Sequence, residues 1–206
     1  MFSATLNSKC ADEIDSILDR PVDYSFESRR LRKNLLNLVR VSNTVFPIGH
    51  ANLIENIAAL DGWRETEFVA IALRSGNRRF CVLTAPASIW RNRRQGLIEI
   101  KRKAAEAGFR VMLISPQFIQ REPRMSNTRA VADTCHIFLT AEDRMAVLLH
   151  VLENGYSTLQ DCASVIVDSE APYSAVLSLA GMGLLDIDLD KPLSANTRVD
   201  LRQVAA

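Results

Sequence analysis

Four glutamates, Glu27, Glu65, Glu67 and Glu99, and one adjacent thiol–imidazole pair, Cys135-His136, are the side chains of this 206-residue sequence best suited to hydrolytic or metal chemistry. Convergent carboxylates could hold a hard cation through oxygen, and such a cation would activate water. Each also has a plainer role, since Glu27 and Glu99 are spaced to pair with a nearby Arg or Lys on a helix surface. Cys135-His136 precedes Ile137-Phe138-Leu139. On a strand the two side chains would point to opposite faces, which predicts a core cysteine beside an incidental histidine. Cys10, Cys81 and Cys162 form no CxxC pair and share no helical spacing with a histidine, so no metal site is expected. His50, His136 and His150 give little material for acid–base work, and His150 reads as core-adjacent. The sequence contains no P-loop, GxGxxG, GxSxG or HExxH, and no cofactor is expected.

A second set of side chains suits a different chemistry, the binding of polyanions. The net charge of +1 conceals three unequal segments. Residues 1–25 hold 2 basic and 5 acidic side chains, residues 26–125 hold 18 and 8, and residues 126–206 hold 5 and 11. A basic centre beside an acidic tail predicts two surfaces with different partners. The cations expected to contact phosphate are Arg29, Arg30, Arg32 and Lys33 in one cluster and Arg91, Arg93, Arg94, Lys101, Arg102 and Lys103 in another. Such contacts confer affinity and salt dependence without sequence preference.

The elements that must position these residues follow from periodicity. Phe26 to Val39 places Leu31, Leu35 and Leu38 on one helical face with arginines around it. Glu67–Leu73 and Arg79–Thr84 read as strands joined through Ser75-Gly76-Asn77, an antiparallel hairpin. Arg94 to Ala107 reads as a helix capped by Gly108, and Phe109 to Ile114 as the next strand. Strand, helix and strand at this spacing predict a crossover with parallel strands. The segment through Leu60-Asp61-Gly62-Trp63 carries no clear period, and Trp90 reads as a packing residue at a strand-to-helix turn.

Beyond Pro123 the pattern changes to three short helices and a hairpin. The helices are expected at Ala141 to Glu153 after a Thr140 cap, from a capping box at Ser157-Thr-Leu-Gln160 to about Val167, and from Pro172 to about Gly181. Leu184–Leu189 and Thr197–Leu201 make the hairpin, and this order is that of a winged helix. Three parts are therefore expected: an N-terminal arm (1–24), an α/β core (25–139) and a winged-helix-like domain (140–206). With 48% hydrophobic residues the chain can bury a core without disulfides. No apolar run reaches the roughly 18 residues of a membrane span, and the first residues do not read as a secretion signal, so a cytoplasmic protein without a membrane partner is expected.

Over residues 24 to 201 the sequence resembles TnsA-type transposase endonucleases of bacterial mobile elements, which have a restriction-endonuclease-like core. The likeness is carried by the opening Tyr-Ser-Phe-Glu-Ser-Arg-Arg-Leu, the strands around Glu67-Phe-Val and Phe80-Cys-Val-Leu, the lysine-rich helix leading to Ala-Gly-Phe-Arg-Val, and the close on Gly-Leu-Leu-Asp-Ile-Asp-Leu. The resemblance implies a mixed sheet flanked by helices and a Mg²⁺ site built from carboxylates and a lysine. The corresponding positions here are Leu31, Glu67, Cys81 and Leu83, of which Glu67 alone is a carboxylate. The expectation is thus a pseudonuclease without catalytic residues. It would bind DNA through its basic core and a protein partner through residues 140–206, in a transposition or recombination assembly. The alternatives are a metal-dependent endonuclease with a migrated site, and a winged-helix transcription regulator. The third tail helix, from Ala171, has no Arg, Lys, Asn or Gln with which to read bases, which disfavours the regulator.

Overall fold

The computed structural model describes residues 25–42, 44–49 and 51–202, so the expected arm at 1–24 lies outside the described residues, as do Cys10 and His50. The chain forms two compact units. The first holds α1 (Phe26–Ser42) as far as Val39 together with Thr44–Gln120, and the second holds the end of α1 and the chain from Arg121 onward. The division falls at Gln120/Arg121, ahead of the expected 139/140.

In the first unit a four-stranded mixed sheet has the order β1-β2-β3-β4, from β1 (Phe46–Pro47), β2 (Val69–Ser75), β3 (Arg78–Thr84) and β4 (Val111–Leu113). The hairpin of β2 and β3 is antiparallel, with Ile71 opposite Val82, and β4 lies parallel to β3, with Met112 opposite Val82. Both pairings are those expected from the sequence. Alternation along β2 sends Val69, Ile71 and Leu73 to one face, where with Val82 they pack against Leu31, Leu35, Leu36 and Val39 of α1. Ala70, Ala72, Cys81 and Leu83 take the other face, under α2 (Asn52–Leu60) and α3 (Ala87–Glu106). The core is therefore helix, sheet, helix.

The departures in this unit have local causes. β2 begins at Val69 instead of Glu67 because Glu65–Glu67 is a turn of 3₁₀ helix. The crossover helix begins at Ala87, just after Pro86, and runs through a kink at Arg93 (φ −125°, ψ 21°), where only its regular portion shows an apolar period. Trp90 accordingly lies within α3. Gly108, at φ +81°, ends this helix as expected, with the Phe109 N–H bonded back to Ala104 O. β4 spans three residues of the longer strand expected. The short α4 (Pro116–Ile119) follows, with Ile119 packed on the α1 side.

In the second unit α5 (Arg124–Thr134), α6 (Ala141–Asn154), α7 (Leu159–Ser164) and α8 (Pro172–Gly181) enclose a core containing Val131, Val147, Val151, Cys162, Val176 and Leu179. A three-stranded antiparallel sheet has the order β5-β7-β6, from β5 (Ser157–Thr158), β6 (Leu185–Ile187) and β7 (Arg198–Leu201). The terminal hairpin was expected and β5 was not. Thr140 Oγ1 caps α6 by accepting from the Asp143 N–H (3.1 Å), and Gly155 stops it at φ +73°. The capping box at the next helix joins Thr158 to Asp161, one residue later than expected, and the helix ends at Ser164. α5 was not anticipated; it buries Asn127 and Thr128 beside Met125 and Val131. Asn127 Nδ2 donates to Leu189 O (2.8 Å) and Lys191 O (2.6 Å), tying α5 to the loop between β6 and β7. Among the described residues no helix is long and apolar enough to cross a membrane.

Candidate nucleic-acid interface

The four positions matched to a nuclease site are dispersed. Leu31 is 1% exposed and packs on the α1 face of the sheet. Cys81 and Leu83 are buried on the opposite face, under α2 and α3. Burial pushes the Cys81 thiol up to about 12, because the thiolate would have to be desolvated. A neutral core thiol is neither a nucleophile nor a hard-metal ligand.

Glu67, the remaining carboxylate, is engaged on the 3₁₀ turn. Its Oε2 accepts from the Arg64 N–H (2.9 Å), and its Oε1 accepts from Arg93 Nη1 (2.7 Å). The backbone hydrogen bond from Arg64, joined by the Arg93 guanidinium, holds the Glu67 carboxyl below its ordinary value. Glu99 is held down likewise by its hydrogen bonds from Arg102. Among the described residues no three His, Cys, Asp or Glu side chains gather where they could share a metal ion.

Arg93, expected to contact phosphate, lies at the kink of α3. Its guanidinium carbon lies 3.9 Å from the centre of the Trp63 ring while the same group binds Glu67. Trp63 is buried, edge-on to Phe68 at 6.3 Å, and closely fitted against Gly96. A Cβ at Gly96 would lie 2.7 Å from Trp63 Cζ2. Lys103 pairs with Asp61, so the loop from Asp61 to Glu67 is tied to α3 at both ends.

The ten proposed phosphate contacts therefore fall into groups of different standing. Arg32 is buried at 7% exposure, so it does not belong to the basic surface. Arg93 and Lys103 are held by Glu67 and Asp61, and Arg102 by Glu99 and Glu106. Arg91, Arg94 and Lys101 are exposed on α3, with the Arg94 guanidinium 6.0 Å from the Trp90 ring centre. Arg29, Arg30 and Lys33 are exposed on α1, across the sheet from α3. Arg74 and Arg78, which read as turn residues in the sequence, and Arg79, which reads as the start of a strand, are all exposed at the end of the β2–β3 hairpin. The two-residue turn at Gly76-Asn77 was the signal that could have brought them together.

In the second unit α8 is buried from Ala175 to Ala180, with Tyr173 exposed near its start. Cys135 caps the end of α5, where its thiol donates to Val131 O (3.3 Å), and His136 follows it. The strand considered for these residues is not formed, since Cys135 lies at the end of a helix. α6 carries an exposed apolar row, Met145, Leu149 and Leu152, with Tyr156 just past its end. No protein-family model matches the chain, and a comparison with curated proteins finds no match.

Proposed function

We propose that this chain is a non-catalytic DNA-associated protein whose first unit, a degenerate restriction-endonuclease-like core, binds duplex DNA through the outer surface of α3. The observation that carries the reading is the exposure of Arg91, Arg94 and Lys101 on that helix while the nuclease-equivalent positions Leu31, Cys81 and Leu83 are core. Phosphates bound there would be recognised by charge, without base reading. Fluorescence anisotropy with a labelled duplex across a salt series tests this directly. Salt-dependent binding supports the reading, and no binding at about 50 mM salt, where such contacts are strong, overturns it.

The second unit, read as winged-helix-like, is proposed to hold a protein partner by the Met145, Leu149 and Leu152 row of α6. Exposed Glu142 and Glu153 flank that row, and residues 126–206 are acidic overall, so the fitting partner is a basic amphipathic helix. A second copy packed antiparallel would set Glu142 against Glu153, which disfavours self-pairing. The proposed setting is a cytoplasmic transposition or recombination assembly, following the TnsA-type resemblance. Burial of α8 supports this over a regulator that reads bases with its third tail helix.

A further inference from the structure

Arg74 on β2 and Arg79 on β3 are direct cross-strand partners, and the next pair toward the turn is Ser75 with Arg78. Opposite residues of an antiparallel pair carry their Cβ atoms about 5 Å apart on the same face, so two guanidinium groups leave the sheet side by side. Like charges in that arrangement repel, whereas an opposite charge there would stabilise the pair. Here the opposing residue on the other flank is Phe46 of β1, itself 37% exposed, giving a row Phe46, Arg74, Arg79 across three strands. Arg74, Arg78 and Arg79 are all exposed. No side-chain hydrogen bond, ion pair or ring contact joins any of the three to another described residue. β4 pairs with β3 only from Cys81 onward, so Arg79 has no strand partner on that side.

A local repulsion kept without an internal counter-charge is the kind of departure that marks a binding surface. The contrast with α3 is instructive, because Arg93, Arg102 and Lys103 each have a carboxylate from within the first unit. We propose that the Arg74–Arg79 pair is a phosphate-binding site for the backbone of duplex DNA, a contact additional to those of α3. The phosphodiester supplies the missing negative charge between the two guanidinium groups, and each can bind it through paired N–H donors. The hairpin then fixes where a duplex lying on the core begins or ends. This inference rests on the DNA-binding reading of the first unit.

The test uses the full chain and a fluorescein-labelled duplex of about 20 base pairs, with affinity measured across a salt series. Replacing both Arg74 and Arg79 with threonine, a good strand former, is expected to flatten the slope of log affinity against log salt by about 0.9, the amount for the one phosphate the pair shares. The same variant is expected to melt no lower than wild type, because a repulsive pair has been removed. Arg74→Lys with Arg79→Lys keeps the charge and is expected to retain most of the slope. An unchanged slope in the threonine variant, with a flattened slope for Arg91→Ala with Arg94→Ala, overturns the hairpin site while leaving the α3 reading intact. Equal loss in the lysine and threonine variants overturns it too, since charge would not be the cause. Absence of wild-type binding overturns both readings together.

Discussion

Arg93 and Trp63 stack at 3.9 Å, guanidinium carbon to ring centre, at the one residue of α3 whose backbone leaves helical geometry. The kink lets a side chain in the middle of the helix reach the loop that precedes β2, where Glu67 receives it. Stacking places the charge over the electron-rich ring face, and the carboxylate completes its pairing at the rim. The Arg93 guanidinium is thus engaged on two sides, by the Trp63 ring and by Glu67.

Arg93→Ala is therefore expected to lower stability, by about 1 to 2 kcal/mol for a partly exposed cation–π contact and its charge-assisted hydrogen bond. Glu67→Gln should destabilise at neutral pH, by less than Arg93→Ala, and the difference from wild type should shrink in acid. The Glu67 carboxyl ionises below its ordinary value of 4.5 in the folded chain, so its contribution is present above that value and is lost as pH falls through the folded one. Thermal melts from pH 7 to pH 3 check this: the variant should show a shallower acid decline than wild type. Equal declines would mean that the pairing is not formed in solution.

Gly96→Ala probes the same contact sterically. A Cβ 2.7 Å from Trp63 Cζ2 forces the buried indole or α3 to shift, and overpacking of this kind costs about 1 to 3 kcal/mol. Denaturant melts should show a lowered midpoint even though alanine favours helix. A stabilised variant would show that the ring moves aside freely.

The β2–β3 hairpin and parallel β4 followed from strand alternation, the turn at Gly76 and the stop at Gly108, which are local signals. α5 escaped because it buries Asn127 and Thr128, whose polar side chains break the apolar period. Arg32 was assigned to the surface because the Leu31, Leu35, Leu38 stripe suggests a one-sided helix, whereas α1 is also buried at Ser28, Asn34 and Asn37. The pairing of Glu67 with Arg93 spans 26 residues and depends on a kink that no periodicity signals.

Thiol reactivity gives an independent check on the core. Cys81, with its thiol raised to about 12, is expected to resist maleimide at pH 7 in the folded chain and to react on unfolding, and Cys162, raised to about 11, should behave alike. An unfolded thiol ionises at about 9, so burial of neutral Cys81 contributes fully below that pH and its contribution is lost as pH rises toward 12. Peptide mapping after timed labelling separates these sites. Rapid modification of native Cys81 would contradict its burial under α2 and α3.

Plasmid incubated with the chain and Mg²⁺ or Mn²⁺ is expected to stay intact. The positions matched to a nuclease site hold Leu31, Cys81 and Leu83 on two faces of the sheet, and Glu67 is already bound to Arg93 and Arg64. A divalent ion held by one carboxylate binds weakly and has no companion ligand to fix it. Gel electrophoresis of supercoiled DNA reads the result. Nicking that disappears in Glu67→Ala would restore the enzyme and show that the carboxylate acts outside its structural pairing.

The location of DNA on the chain can be settled by three variants chosen from exposed side chains. α1 and α3 cover opposite faces of the sheet, so a short duplex resting on one is out of reach of the other. Arg91→Ala with Arg94→Ala should weaken binding of unrelated sequences by a similar factor and flatten the salt dependence, since each lost phosphate contact removes a released counterion. Arg30→Ala with Lys33→Ala on α1 should leave a duplex of about 12 base pairs almost unaffected. Tyr173→Ala with Ser174→Ala at the start of α8 should likewise change little, because the rest of that helix faces the core of the second unit. Circular dichroism must first show that each variant is folded. If the α1 variant alone loses affinity, the duplex lies on the other face of the sheet; if the α8 variant alone loses a preferred sequence, the second unit is the reader and the assignment of DNA to α3 is wrong.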